Sequence, residues 1–287
     1  MPIVTPLRLQ DLPFLLGLSQ EAGWGHTEGD WRTALHCGQG YGHRCQQGTL
    51  ISCVNVTAYG ASFAALGMVI VAKSHRSRGL GSRLIQHVLK NNPTHRRIAL
   101  IAGVRTEPFY HQFGFTSTGE YILKMTKLRP SSLQVKLPAS RPSSQTSIPQ
   151  ILEADVVMAP QLDRSELLLR RLQSASQVVT ASSTSLSDSL IGYGISHRQG
   201  DQLSVGPLVC SSDDIAMQLV QDLTSSHANV RVDTYETWQS SFAKDLQEML
   251  GFSIQSRQQI MLLGGAGHGD LPCFGKSIFC PASQGWL

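Results

Sequence analysis

The chain is poor in several features, and each shortage removes a class of protein. Its 287 residues hold six cysteines, Cys37, Cys45, Cys53, Cys210, Cys273 and Cys280, and no two of them form a CxxC pair. A chain of this size does not need disulfide staples, so reduced thiols in a cytoplasmic protein are expected. Charged residues make up only 15% and the formal net charge is +4. That mildly favours anionic ligands but falls well short of a dedicated nucleic-acid binder, and no nucleic-acid partner is expected. The apolar run AALGMVIVA is about half the ~20 residues a membrane-spanning helix needs, so no membrane partner is expected either. The opening MPIVTPLRLQDLPF lacks the basic-then-apolar layout of a secretory leader. Ordinary hydrophobic content, 41%, predicts a soluble globular chain of one large or two small domains.

Residues 129–150, RPSSLQVKLPASRPSSQTSIPQ, contain no acidic residue and no apolar periodicity, and read as a linker. The predicted division is therefore a first domain at 1–128, the linker, and a second domain at 151–287. In the first, Asp11 is placed to cap a helix LPFLLGLSQEAG, with Leu12, Leu15 and Leu16 on one face and Gly23 as its stop. A weak helix EGDWRTALH follows, then strands near 41–46, 49–58 and 62–72. A helix RGLGSRLIQHVLKNN, a strand RIALIAG, a short helix PFYHQFG and a strand EYILKMTKL complete the half. The second half echoes this ending. LSVGPLVC, DDIAMQLVQDLTSS, NVRVDTY, SSFAKDLQEMLG and RQQIMLLG repeat strand, helix, strand, helix, strand, again with Gly-Phe before the last strand. Nearly equal lengths separate Val69 from Gly114 and Leu208 from Gly251, as a diverged duplication predicts. The fold class expected is mixed α/β.

The stretch RSRGLGSRL stands between a buried strand, LGMVIVA, and an amphipathic helix. The first amides of a helix have no intrahelical partner and lie at the positive end of its dipole, so an anion fits there. Gly79 and Gly81 remove Cβ atoms where a phosphate would approach the main chain. Other phosphate loops match less well. No GxxxxGK[ST] is present, and Leu84 stands where the dinucleotide fingerprint needs its third glycine. Nucleic-acid binding through Arg76, Arg78 and Arg83 would want interleaved aromatics, which are missing.

RSRGLG also resembles the (Q/R)-x-x-G-x-(G/A) motif of the GCN5-related N-acetyltransferases, and EPFYHQFGF resembles that family's second landmark, a short helix carrying Tyr before Gly-Phe. The likeness covers about residues 3–128. YGASFAALGMVIV, LDRSELLLRRL, GYGISHRQGD and VGPLV extend it to a two-domain subgroup with a degenerate second copy. The resemblance implies acetyl-coenzyme A as cosubstrate, no metal, and direct attack of a primary amine on the thioester. The acceptor would be a small-molecule or peptide amine, and the protein a monomer or homodimer. It assigns the pyrophosphate to the amides of Ser77, Arg78, Gly79, Leu80, Gly81 and Ser82, with Arg76 in the Gln/Arg place. It assigns the pantetheine arm to Val69, Ile70 and Val71, and protonation of the leaving thiolate to Tyr110. Trp24, Trp31 and Tyr59 are expected to line the acceptor pocket. The general base is not identifiable. An alternative is a non-catalytic acyl-coenzyme A-binding module.

The second half lacks the glycines. Asp213 and Asp214 stand at its helix start, where carboxylates stabilise the helix but repel a pyrophosphate, so this half is not expected to bind coenzyme A. Remaining signals read as structural. His36, Cys37, His43 and Cys45 lack a workable zinc spacing. Asp163 to Glu166 matches a capping box before LLLRRL, Arg170 and Arg171 read as a solvated face, and His197 falls in a hairpin.

Overall fold

The computed structural model describes residues 2–61, 63–91, 97–128, 146–160, 162–183, 189–265, 271 and 277–282. Most of the predicted linker, with residues 184–188, 266–270 and 272–276, lies outside the described residues. After a short strand β1 (Val4–Pro6), the first half runs α1 (Leu12–Glu21), α2 (Glu28–Cys37), β2 (Gly38–Arg44), β3 (Leu50–Tyr59), β4 (Phe63–Val71), α3 (Leu80–Asn91), β5 (Arg97–Gly103), α4 (Glu107–His111) and β6 (Thr116–Lys127). The second runs α5 (Ile148–Met158), α6 (Ser165–Gln173), β7 (Gln177–Ser182), β8 (Leu190–Gln199), β9 (Gln202–Cys210), α7 (Asp213–Thr224), β10 (Val230–Tyr235), α8 (Ser240–Leu250) and β11 (Ser253–Leu263), then a short β12 (Ile278–Cys280). Between their terminal strands the two halves repeat one order: two helices, three strands, helix, strand, helix, strand. The duplication read from the later elements extends through the whole of each half.

The halves nevertheless share one mixed sheet, ordered β1-β2-β3-β4-β5-β11-β6-β10-β9-β8-β7, with β12 on β9. The last strands are exchanged. β11 stands beside β5 (Ile260 opposite Ile101), and β6 stands beside β10 (Met125 opposite Val232). Both are apolar on both faces, as central strands require: Ile260, Met261 and Leu262 on β11, and Ile122, Leu123 and Met125 on β6, are all buried. A boundary at residue 128 divides the chain but not the sheet.

One sheet face carries α1, α2, α5 and α6 over a core common to both halves, including Trp31, Tyr59, Phe63, Ile122, Tyr193 and Tyr235. On the other face, the α3 side chains Leu84, Ile85 and Val88 pack with Tyr110 and Phe115 over the first half. Leu219 and Leu223 of α7 and Phe242 and Leu246 of α8 do the same over the second. On the shared face the helices are bolted by charge. Asp30 takes part in the capping box of α2, with its N–H donating to Thr27 Oγ1 (3.1 Å), and Arg171 Nη1 of α6 donates to its Oδ1 at 2.9 Å.

Three local expectations are corrected. Arg171 is 3% exposed rather than solvated, because its ion pair with Asp30 lies inside the junction. The Asp163–Glu166 capping box does not form: α6 starts at Ser165 with Arg164 as its N-cap, so Glu166 is one position too early to reach back. Asp11 does not bond the α1 amides. Its carboxylate accepts from the Arg8 N–H (2.9 Å) and Arg44 Nη2 (2.6 Å), closing the 3₁₀ turn before the helix.

Candidate active site

β4 pairs with β5 in parallel only from Phe63 opposite Arg97 to Ala65 opposite Ala99. Beyond Ala65 the two strands part, while β4 stays paired with β3 as far as Val71 opposite Ser52. The edge of β4 from Leu66 to Val71 therefore faces a slot. Val69, Ile70 and Val71 lie on it, with Ile70 4% exposed in the core and Val69 and Val71 partly buried. A bulge interrupts the strand here. Gly67 pairs with Asn55 and Ile70 with Cys53, so Met68 and Val69 share one opposing residue, Val54. Met68 takes φ of +54°, left-handed for a residue with a side chain. Such a bulge leaves main-chain groups outside the ladder.

The slot runs into the glycine loop. Ser77 (φ +58°) and Gly79 (φ +73°) are both left-handed, a conformation that turns successive amides to one side and forms anion-binding concavities. Arg83 is the first α3 amide bonded to a carbonyl, Gly79 O at 3.1 Å, so those of Leu80, Gly81 and Ser82 are the free amides of a helix start. The two glycines act differently. Gly79 supplies its φ, with open space where a Cβ would be. A Cβ on Gly81 would lie 3.3 Å from the Phe109 ring of α4. The arginines brace the loop: Arg76 Nε donates to Val71 O (3.1 Å) and Arg78 Nη2 to Ser74 O (3.1 Å).

Phe109 thus joins the loop to α4, whose Tyr110 is 8% exposed among Phe109, Phe115 and the α3 side chains. Burial pushes its phenol up to about 12, so Tyr110 stays protonated at neutral pH.

The three aromatic residues expected at the acceptor pocket separate. Trp24, 42% exposed, stands in the loop between α1 and α2. Trp31 is fully buried, its indole N–H donating to Ser19 Oγ at 3.0 Å. Tyr59 ends β3 opposite Phe63, at the far end of β4 from the slot. Between the two tryptophans lies a residue the sequence did not single out. His26 meets Trp24 and Trp31 edge-on at ring distances of 5.4 and 5.8 Å, with Nδ1 3.3 Å from Ser19 Oγ. Burial lowers its pKa, against the opposing pull of Asp30. The end of α1 is tied to the turn that precedes the glycine loop, where Glu21 accepts the Lys73 N–H at 2.6 Å. A lone histidine in a loop carries no periodicity or motif by which to find it.

The second half repeats the parting of strands but fills the gap. β9 pairs with β10 only from Leu203 opposite Val230 to Val205 opposite Val232. Beyond that, β12 lies on β9, with Ile278 opposite Val209. Thr234 Oγ1 of β10 donates to Phe279 O (2.7 Å), and the Cys210 N–H to Ser277 O (2.9 Å). Pro207, at the place of Met68, has no N–H to offer. At the α7 start the cap comes from Ser212, whose hydroxyl accepts the Ile215 N–H, and Asp213 accepts from Ser241.

The chain is a twice-repeated α/β unit whose third long strand parts from the fourth, with a glycine-rich helix start in the first copy. Family models for the acetyltransferase (GNAT) domain match residues 36–117 and, separately, residues 153–270. The chain is 28% identical over 221 residues to an uncharacterised N-acetyltransferase, YitH, of Bacillus subtilis (strain 168), covering 76% of this chain and 77% of that protein. Its fold is similar to that of a proposed acetyltransferase from Pyrococcus horikoshii, with TM-score 0.78 and 15% identity over 100% of this chain and 96% of that one. It is also similar to a tandem GNAT protein from the clavulanic acid biosynthesis pathway, with TM-score 0.69 and 12% identity over 93% and 99% of the two chains. The chain belongs to the GCN5-related N-acetyltransferases and carries two domains of that family. Membership supports an acyl-transfer function.

Proposed function

We propose that the first half is an acetyl-coenzyme A-dependent N-acetyltransferase acting on a primary amine. The observation that carries this reading is the contrast between two equivalent slots. In the first half, the strand edge at 66–71 leads to a glycine loop and a helix start. In the second, the chain's own β12 lies along the matching edge.

The pyrophosphate sits on the amides of Ser77 to Ser82, where free N–H groups and the helix dipole favour an anion. The pantetheine amides pair with the β4 edge at Val69 to Val71 as an added strand would. The bulge at Met68 and Val69 gives the thioester carbonyl a main-chain donor, which stabilises the oxyanion formed on attack. The amine enters past Trp24. His26, its pKa lowered by burial, is neutral at pH 7 and takes the proton from the attacking nitrogen. The tetrahedral intermediate collapses, the C–S bond breaks, and Tyr110 protonates the departing thiolate. Holding the two reactants in register contributes more than either proton transfer, with effective molarities of about 10⁵–10⁸ M for well-oriented pairs.

The test is coenzyme A binding by calorimetry, followed by thiol release from acetyl-coenzyme A across a panel of amines. One coenzyme A per chain and turnover of at least one amine are expected. Two sites per chain, or none, would overturn the assignment of the slots. Tight binding without turnover across the panel would replace the enzyme with a non-catalytic coenzyme A-binding module.

A further inference from the structure

The sheet face that carries α1, α2, α5 and α6 turns polar at one end. Ile122 of β6 and Tyr235 of β10 stand opposite each other and belong to the apolar core on this face. Strand side chains alternate, so Lys124 on β6, and Asp233 and Arg231 on β10, follow on the same face. Lys124 is directly opposite Asp233, and Thr126 is opposite Arg231. This is the end at which β4 and β5 part. Gly103, Gln258 and Ile122 form one row across β5, β11 and β6, and Lys124 is the next β6 residue on this face.

The loop that holds Trp24 and His26 lies over the same end. A Cβ on Gly25 would be 3.7 Å from Gln199 Oε1 at the end of β8. Burial dominates the His26 pKa, Asp30 opposes it, and the nearby charge of Arg231 adds to the lowering. The central strands therefore form the floor of a cleft whose rim is this loop.

Charge on the floor is unevenly matched. Arg231 donates Nε to Asp233 Oδ1 at 2.9 Å and Nη2 to Oδ2 at 2.5 Å, so that carboxylate takes up the guanidinium charge. Its Nη1 makes no bond among the described residues. Lys124 is partly buried and has neither a hydrogen bond nor an ion pair among the described residues. Burial lowers its pKa, Arg231 adds to that, and Asp233 opposes. Taking a cation partly out of water beside a second cation disfavours its charged form unless an anion meets it. Arg231 and Asp233 sum to zero, which leaves the single positive charge of Lys124. One carboxylate matches it, whereas a phosphate dianion leaves a negative charge over.

Resting on the reading of the first half as an N-acetyltransferase, we propose that the acceptor is an aminocarboxylate, its carboxylate held by Lys124 Nζ and Arg231 Nη1 on the cleft floor and its amine presented at the β4 edge. Two strand spacings, about 10 Å, separate β5 from β6, so the two groups belong at opposite ends of an extended molecule such as an ω-amino acid or a short peptide. β6 comes from the first half and β10 from the second, so the half whose slot is filled still takes part in choosing the acceptor.

The experiment is calorimetry on the full chain with saturating coenzyme A. The probes are 6-aminohexanoate, 8-aminooctanoate, glycylglycine and alanylalanine, each beside its primary amide, which keeps the size and removes the negative charge. 6-Aminohexyl phosphate is the dianionic comparator. At least one acid is expected to bind about tenfold more tightly than its amide, and more tightly than the phosphate. Lys124→Met keeps the length of the side chain and removes its charge. It should abolish the preference for the acid while leaving coenzyme A affinity unchanged and the melting temperature no lower. Lys124→Arg should keep the preference. The proposal is overturned if no acid is preferred to its amide, if the phosphate binds more tightly than the acids, or if Lys124→Met retains the preference. Thiol release from acetyl-coenzyme A with the same probes separates the two readings. Acids that bind through Lys124 but are never acetylated would remove the enzyme and leave the site; turnover that does not distinguish acid from amide would remove the site and leave the enzyme.

Discussion

Tyr110 shows how a residue's surroundings set its chemistry. A phenol at the surface is a poor reservoir of specificity, but this one is enclosed by Phe109, Phe115 and the α3 side chains, and burial raises it to about 12. It therefore stays in the protonated form that the proposed role as general acid requires. Tyr110→Phe keeps the ring and the packing and removes the proton. It should lower kcat by about 10²-fold, within the usual range of general-acid help, with KM for acetyl-coenzyme A little changed. Steady-state kinetics with an amine found by the panel checks this; an unchanged kcat would remove Tyr110 from the mechanism. Tyr110 was a candidate from the sequence because it stands in a motif. His26 was not, because its candidacy comes only from Trp24, Trp31 and Asp30 gathering around it.

At the scale of elements, the contact of α2, α6 and β8 makes the junction sensitive to acid. His197 of β8 is 6% exposed, and burial, helped by Arg171, lowers it to about 3; its Nδ1 lies 3.3 Å from Ser174 O. The folded ring stays neutral while the unfolded one takes up a proton near its ordinary value of 6.5. Its contribution is therefore complete above pH 6.5 and declines as pH falls toward 3, by at most about 1.4 kcal/mol per pH unit. Asp30, held below its ordinary value by Arg171 and Thr27 in spite of burial, adds a loss at the acid end as it protonates. Melting temperature should fall steadily from pH 6.5 to 4.5, and His197→Gln should flatten that slope; equal slopes in the two proteins would refute the cause. Arg170 and Arg171, adjacent in sequence, met opposite fates. One pairs with Glu166 in solvent and the other is enclosed with Asp30, a difference that only the docking of α6 on α2 creates.

For the whole molecule, the exchange of β6 and β11 is the decisive feature. Neither half holds its own sheet complete: β5 needs β11 beside it, and β10 needs β6. Residues 1–128 expressed alone would leave the apolar edge of β5 uncovered or force β6 into a place that β11 fills in the full chain. An unpaired central edge is an aggregation template. That fragment is expected to be aggregated or self-associated by sedimentation and to lack a cooperative melt, whereas the full chain is expected to melt in one transition. A monomeric, cooperatively folding fragment would show that the exchange is dispensable.

The sequence by itself determined most element types, because each is a local matter of periodicity and punctuation, but not the short strands β1, β7 and β12. RIALIAG is a strand over the very residues expected, and Gly23 takes the left-handed φ of +75° that ends α1. It also marked out the glycine loop, since the left-handed turn at Gly79 and the free amides of α3 are written into adjacent residues. Tertiary structure alone decided which strand closes which half, that β12 fills the second slot, and that Lys124 and Asp233 stand opposite each other on neighbouring strands. Each of these depends on residues distant in the chain meeting through burial and backbone pairing. Such meetings leave no spacing in a single sequence, because either last strand is apolar enough to complete either half.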